Sequence, residues 1–132
     1  MTQNSFERLF TNQKAIDPAE LTAILEPFVR INRETLEIFF TDKGHCLKVP
    51  QRVILFLLAK KVLKITEKID KEETTPKEIF NETRIKKGSI DPTIKQLREK
   101  GWIIRLGGGY LVPGYQLPKL KKEFFKEEQN GT

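Results

Sequence analysis

The run Val53-Ile-Leu-Phe-Leu-Leu-Ala59 constrains this chain more than any other stretch. Val53, Leu57, Leu58, Val62 and Ile65 recur at helical spacing, while Ile54, Leu55 and Phe56 widen the stripe. A helix over residues 50 to about 66 is therefore expected at the centre of a core. At seven residues the run is far below the roughly 18 to 20 needed to cross a bilayer, so no membrane span is expected. A chain of 132 residues can bury one such core, as one domain or as one small domain with an extension. With 38% apolar and 32% charged residues, neither a disordered nor a fibrous composition is present. Residues 1–8 lack a basic start followed by an apolar stretch, so no secretory leader is expected and the expected location is cytoplasmic.

Elements on either side follow from local chemistry. Asp17-Pro18-Ala19-Glu20 has an N-cap and a proline at the first helical position, and Leu21, Ile24, Leu25 and Phe28 then share a face, predicting a helix over about 18–27. Phe28-Val-Arg-Ile-Asn32 and Glu37-Ile-Phe-Phe-Thr41 read as a hairpin around a four-residue loop, Arg33-Glu-Thr-Leu36. The polar stretch 67–74 is either a continuation of the central helix or a connecting loop. Residues 117 to about 127, entered through Pro118, place Leu120, Phe124 and Phe125 to one side, as in a terminal amphipathic helix that packs or dimerises. The pairs Glu72-Glu73 and Glu127-Glu128 lie in charged runs and read as solvated surface.

Function concentrates in residues 75–105. Thr75-Pro76-Lys77-Glu78 matches a capping box with proline at its first helical position, and Ile79 and Phe80 would anchor a short helix ending near Arg84. After a basic turn of five residues a second helix begins at Ser89 or Asp91, with Pro92 in its first turn, and ends at Gly101. Two short strands, 102–106 and 110–112, follow around Gly107-Gly108-Gly109. From Arg84 to Arg105 there are seven cations (Arg84, Lys86, Lys87, Lys95, Arg98, Lys100, Arg105) against two anions (Asp91, Glu99). Five of the net six positive charges thus fall there, whereas residues 1–47 carry five cations and seven anions. Duplex phosphate is the natural counterpart of such a cluster.

On a helical wheel Ile90, Ile94, Leu97 and Gly101 share the inward arc, with Pro92, Lys95, Gln96 and Glu99 opposite. Ser89, Asp91 and Thr93 lie on the flanks of the N-terminal half, the part that enters a major groove in helix-turn-helix docking. Gln96 suits adenine, Lys95 guanine, Asp91 cytosine, and Ser89 or Thr93 a base or a phosphate. Arg84, Lys86, Lys87 and Arg105 are placed to clamp phosphates. Taken alone, lysines on such a face are ordinary solvent cover; the capped helix, turn, second helix and strand pair together give them a role.

The glycine-serine step, the isoleucine-bearing helix, Leu97-Arg-Glu-Lys-Gly101 and the strand after it resemble the recognition helix and first wing strand of winged helix-turn-helix proteins, over about residues 50–113. The resemblance implies duplex DNA binding, commonly as a transcription regulator and often as a homodimer. Glu99 and the uncharged glycine tip depart from the usual pattern. The expected fold class is mainly α with a small β part (α+β). A helix-hairpin extension (1–47) would precede a winged helix-turn-helix domain (48–116) and a C-terminal helix with a frayed tail (117–132). The expected partner is double-stranded DNA; pairing of two copies through the N- or C-terminal helices and contact with a protein partner stay open. The alternative is a winged helix that serves as an interaction or assembly module, and the weakest reading is an enzyme subunit with its chemistry elsewhere. One cysteine, Cys46, beside one histidine, His45, falls short of a zinc ligand set, and on an extended loop the two side chains would point apart. The triple glycine joins strands instead of opening a helix, so it is no phosphate loop. Neither catalysis, metal nor cofactor is expected.

Overall fold

The computed structural model describes Phe6 and residues 16–125. Within them the chain is mixed α+β, with six α-helices and two antiparallel two-stranded sheets. Helix α1 (Pro18–Leu25) starts where Asp17 Oδ1 accepts from the Ala19 amide at 2.9 Å, and it buries Leu21, Ile24 and Leu25. Strands β1 (Val29–Ile31) and β2 (Ile38–Phe40) pair Val29 with Phe40 and Ile31 with Ile38. The Asn32 amide reaches the Glu37 carbonyl at 2.8 Å, so the loop is the four residues 33–36, and Asn32 Oδ1 organises it by accepting from Glu34 and Thr35.

A one-turn helix, α2 (Asp42–His45), replaces the extended loop expected around His45. Thr41 Oγ1 caps it at the Gly44 amide, 3.2 Å away, and a Cβ on Gly44 would lie 2.4 Å from the Phe28 carbonyl oxygen. His45 stands edge-on to Phe40 and Cys46 is exposed, so the pair does not form a site.

Helix α3 (Val49–Ile65) is the centre of the molecule. Every residue from Val53 to Ala59 has 0% exposure. An apolar stripe would leave one side wet; here the whole circumference of that run is covered, because α1, β1, the next two helices and the last strand pack against the helix. One contiguous core therefore runs from Leu21 through α3 to Phe125. The helix stops at Glu67, which takes a left-handed φ of 61° while the Lys68 amide bonds back to the Leu63 carbonyl at 2.8 Å.

Residues 67–74 are thus a loop, and its end is stitched into the following hairpin. Helix α4 (Pro76–Thr83), helix α5 (Lys87–Glu99), strand β3 (Ile104–Leu106) and strand β4 (Gly109–Leu111) come next. Thr74 exchanges two backbone hydrogen bonds with Tyr110, both 2.9 Å, so it acts as a third rung beside β4. Glu72 is buried, contrary to the solvated surface read from the acidic run: its carboxylate faces the Lys61 ammonium at 2.6 Å, and Lys61 is 1% exposed. Among the described residues, neither Lys61 Nζ nor Glu72 Oε2 has a hydrogen-bond partner beyond this contact.

The C-terminal helix changes pitch instead of running evenly. A 3-10 turn (Gly114–Gln116) leads into α6 (Leu117–Lys119) and a π turn (Leu120–Phe124), closed by the Phe125 amide on the Leu120 carbonyl at 3.0 Å. The wide turn puts Leu120 and Phe125 on the core side, with Phe125 5.9 Å from Phe28, while Phe124 turns to Trp102 at 5.4 Å. The apolar face that could have dimerised is packed within the chain. Glu127-Glu128 and the end of the expected helix lie outside the described residues.

Candidate nucleic acid interface

The capping box before α4 forms as its sequence requires. The Thr75 amide donates to Glu78 Oε1 at 2.9 Å and the Glu78 amide to Thr75 Oγ1 at 3.1 Å. Ile79 is fully buried, while Phe80 stays 38% exposed and does not share the anchoring. The helix ends at Arg84, which takes the left-handed conformation at φ 63°. Only Arg84, Ile85 and Lys86 separate α4 from α5, not five residues. Ile85 turns inward, 3% exposed, with its amide held by Thr83 Oγ1 at 3.1 Å. That contact sends the flanking Arg84 and Lys86 outward.

Helix α5 starts at Lys87, earlier than Ser89. The Lys86 carbonyl accepts from the Ser89 amide at 2.8 Å and the Ile90 amide at 3.2 Å, which recruits the two preceding residues into the first turn. Pro92 is consequently inside the helix, where it has no amide to give the Gly88 carbonyl. A Cβ added at Gly88 would meet nothing within 4 Å, so this stretch lies open to solvent. No side chain caps the start of α5, so of its first amides those of Lys87 and Gly88, beside Lys86, are left without a bond among the described residues. The far end closes at Gly101, φ +82°, with the Gly101 amide on Arg98 and the Trp102 amide on Leu97, both at 2.9 Å.

Ile90, Ile94 and Leu97 face the core as their spacing requires, at 4% exposure or less. Thr93 does not reach the surface: at 7% exposure it extends the buried face, since it lies three residues after Ile90 and four before Leu97. It is removed from the residues that could touch a base or phosphate. Ser89 is half-buried; Arg84, Lys86, Lys87, Asp91, Lys95, Gln96 and Arg105 are exposed. Lys95 and Gln96, one residue apart, sit about 100° apart on the helix. Gln96 borders a recess of about 230 Å³ lined also by Lys48, Lys100 and Glu123. Nearer the hairpin, the Arg98 guanidinium lies 5.7 Å from the Tyr110 ring centre. Arg105 bends back to the hairpin tip, Nε donating to the Gly107 carbonyl at 3.3 Å.

The charges of this region are unneutralised. Among the described residues, none of the seven cations from Arg84 to Arg105 makes an ion pair, and all seven are exposed. Elsewhere lysines do find carboxylates: Lys60 meets Glu82 at 3.3 Å and Lys61 meets Glu72. Arg98 and Lys100 belong to the cluster by charge alone, and no motif assigns them a role. Lys48 carries no signal in the sequence, because it joins them only through the packing of α3 on α5. No group of three or more metal-ligating side chains occurs among the described residues, and none of their helices is long and apolar enough to cross a membrane. No protein-family model, curated protein or solved structure matches the chain.

Proposed function

We propose that the chain binds duplex DNA as a winged helix-turn-helix module and acts in transcription regulation. In this reading α4 and α5 are the helix pair, and β3 and β4, with Thr74 beside them, are the wing. The observation that carries it is the set of seven exposed, unpaired cations around α5, since polyanion binding needs charge that no internal carboxylate has already neutralised. Arg84, Lys86 and Lys87 sit at the open amide end of α5, where backbone donors and lysines together suit a phosphate. Ser89, Asp91, Lys95 and Gln96 are the side chains left for base edges. The apolar faces of α1 and of the C-terminal turns are occupied internally, so the reading does not depend on a second copy joined through them.

A second reading has its own support. The outermost positions of α5 include Pro92 and Glu99, which offer no donor to a base, and the wing strand exposes Ile104 and Leu106 at 38% and 51%. Such a surface suits a protein partner, the interaction-module alternative. A salt series separates the two. DNA binding requires a log–log slope near −0.9 per neutralised phosphate, so roughly −3 from Arg84, Lys86 and Lys87 alone. Lys86→Ala with Lys87→Ala should weaken every duplex about equally, and Lys95→Ala should reduce discrimination between sequences. No binding of a mixed-sequence duplex at low salt would overturn the DNA reading.

A further inference from the structure

The recess beside Gln96 sits at the opposite end of α5 from Lys86 and Lys87. It is lined by Lys48, the residue before α3, by Lys100, the residue after α5, and by Gln96. Both lysines are exposed, and among the described residues neither ammonium is paired with a carboxylate. Gln96 likewise has no side-chain hydrogen bond among the described residues, although its amide can donate twice. Glu123 also lines the recess, so one carboxylate faces two ammonium groups and the net charge stays positive. At about 230 Å³ the space is many times the roughly 10–15 Å³ that one water needs.

We infer that this recess holds a second backbone phosphate of the same duplex, so that α5 is clamped at both ends. The inference rests on the DNA reading above and adds an orientation to it. Helix α5 has 13 residues and is therefore about 20 Å long, whereas the major groove is about 12 Å wide. A helix of that length set obliquely in the groove overreaches its width, so its two ends come near opposite banks, with Arg84, Lys86 and Lys87 at one strand and Lys48 and Lys100 at the other. Insertion by the N-terminal end alone would leave Lys48 and Lys100 in water. On this geometry Gln96 is a phosphate donor and not a reader of adenine, and the reading of bases falls to Ser89, Asp91 and Lys95.

The test compares two double variants, Lys48→Ala/Lys100→Ala and Lys86→Ala/Lys87→Ala, with the unaltered chain on one mixed-sequence duplex over a range of salt. All the substituted side chains are exposed; thermal melting checks the fold, and Lys48→Gln/Lys100→Gln stands in if the alanine pair unfolds. Each double variant should reduce the salt slope by about 2. Phosphate ethylation should interfere on both banks of a single major groove, and the interference on one bank alone should vanish in the Lys48/Lys100 variant. An unchanged slope and one-sided interference in that variant, with a reduced slope for Lys86/Lys87, would overturn the second clamp and leave the DNA reading in place. Failure of the unaltered chain to bind duplex would overturn both.

Discussion

Removing the ammonium from Lys61 should be among the most damaging single changes in this chain. Lys61→Met keeps the length and the apolar stem but leaves the Glu72 carboxylate, 8% exposed, without its partner at 2.6 Å. Among the described residues nothing else satisfies Glu72 Oε2, so its desolvation would go uncompensated. Breaking a buried pair from one side costs about 3–5 kcal/mol, a large share of the roughly 5–15 kcal/mol that holds a domain together. For a chain of this size, at roughly 4 °C per kcal/mol, the melting temperature should fall by about 12–20 °C. Glu72→Gln strands the lysine and should cost a similar amount. The double variant Lys61→Met/Glu72→Leu, with two apolar groups meeting, should recover most of the loss. Circular-dichroism melts and urea titrations of the unaltered chain, Lys61→Met, Glu72→Leu and the double variant form a double-mutant cycle, with an expected coupling above about 2 kcal/mol. A Lys61→Met loss below about 1 kcal/mol, or additive effects, would refute the claim that the pair is dry and mutually dependent.

The glycines of the β3–β4 hairpin tip should rank by structure. Gly109→Ala should cost about 1–3 kcal/mol, because its Cβ would lie 2.8 Å from the Thr74 amide nitrogen, while Gly107→Ala at φ +61° should cost about 1–2 kcal/mol. Gly108→Ala meets nothing within 4 Å and should be near neutral; equal effects in urea titrations at all three would contradict the assigned turn. Thr75→Ala removes one half of the capping box and should lower stability by roughly 1 kcal/mol in chemical denaturation. Thr93→Ala should leave duplex affinity unchanged and act on stability alone, read by anisotropy alongside melting, because the side chain is buried.

Strong local signals make much of the architecture readable from the sequence. The Asp17-Pro18 and Thr75-Pro76 starts, the Gly101 stop and the four-residue hairpin loop each follow from a hydrogen bond made within a few residues. The start of α5 departs from its local signal: Pro92 marks a first turn by sequence, whereas the buried Ile85 pulls Lys87 and Gly88 into the helix ahead of it. Thr93 departs for a related reason, because a hydroxyl on a flank is ambiguous until a neighbouring element covers it. Lys48 and the Lys61–Glu72 pair have no local signature at all, and Lys100 enters by its charge alone. Their proximity depends on how α3 meets α5 and the loop after it, separations that no short pattern encodes.

The π turn at Leu120–Phe124 is geometrically an α-helical turn carrying one surplus residue. That surplus is a lysine step on the solvent side, and deleting Lys122 would bring Phe125 to the fourth position after Leu120 on an ordinary pitch, still next to Phe124. On that pitch Phe125 would still face inward with Leu120, so the shortened turn should keep both rings that tie the carboxyl end to Phe28 and Trp102, and a thermal melt of the deletion variant should show little loss.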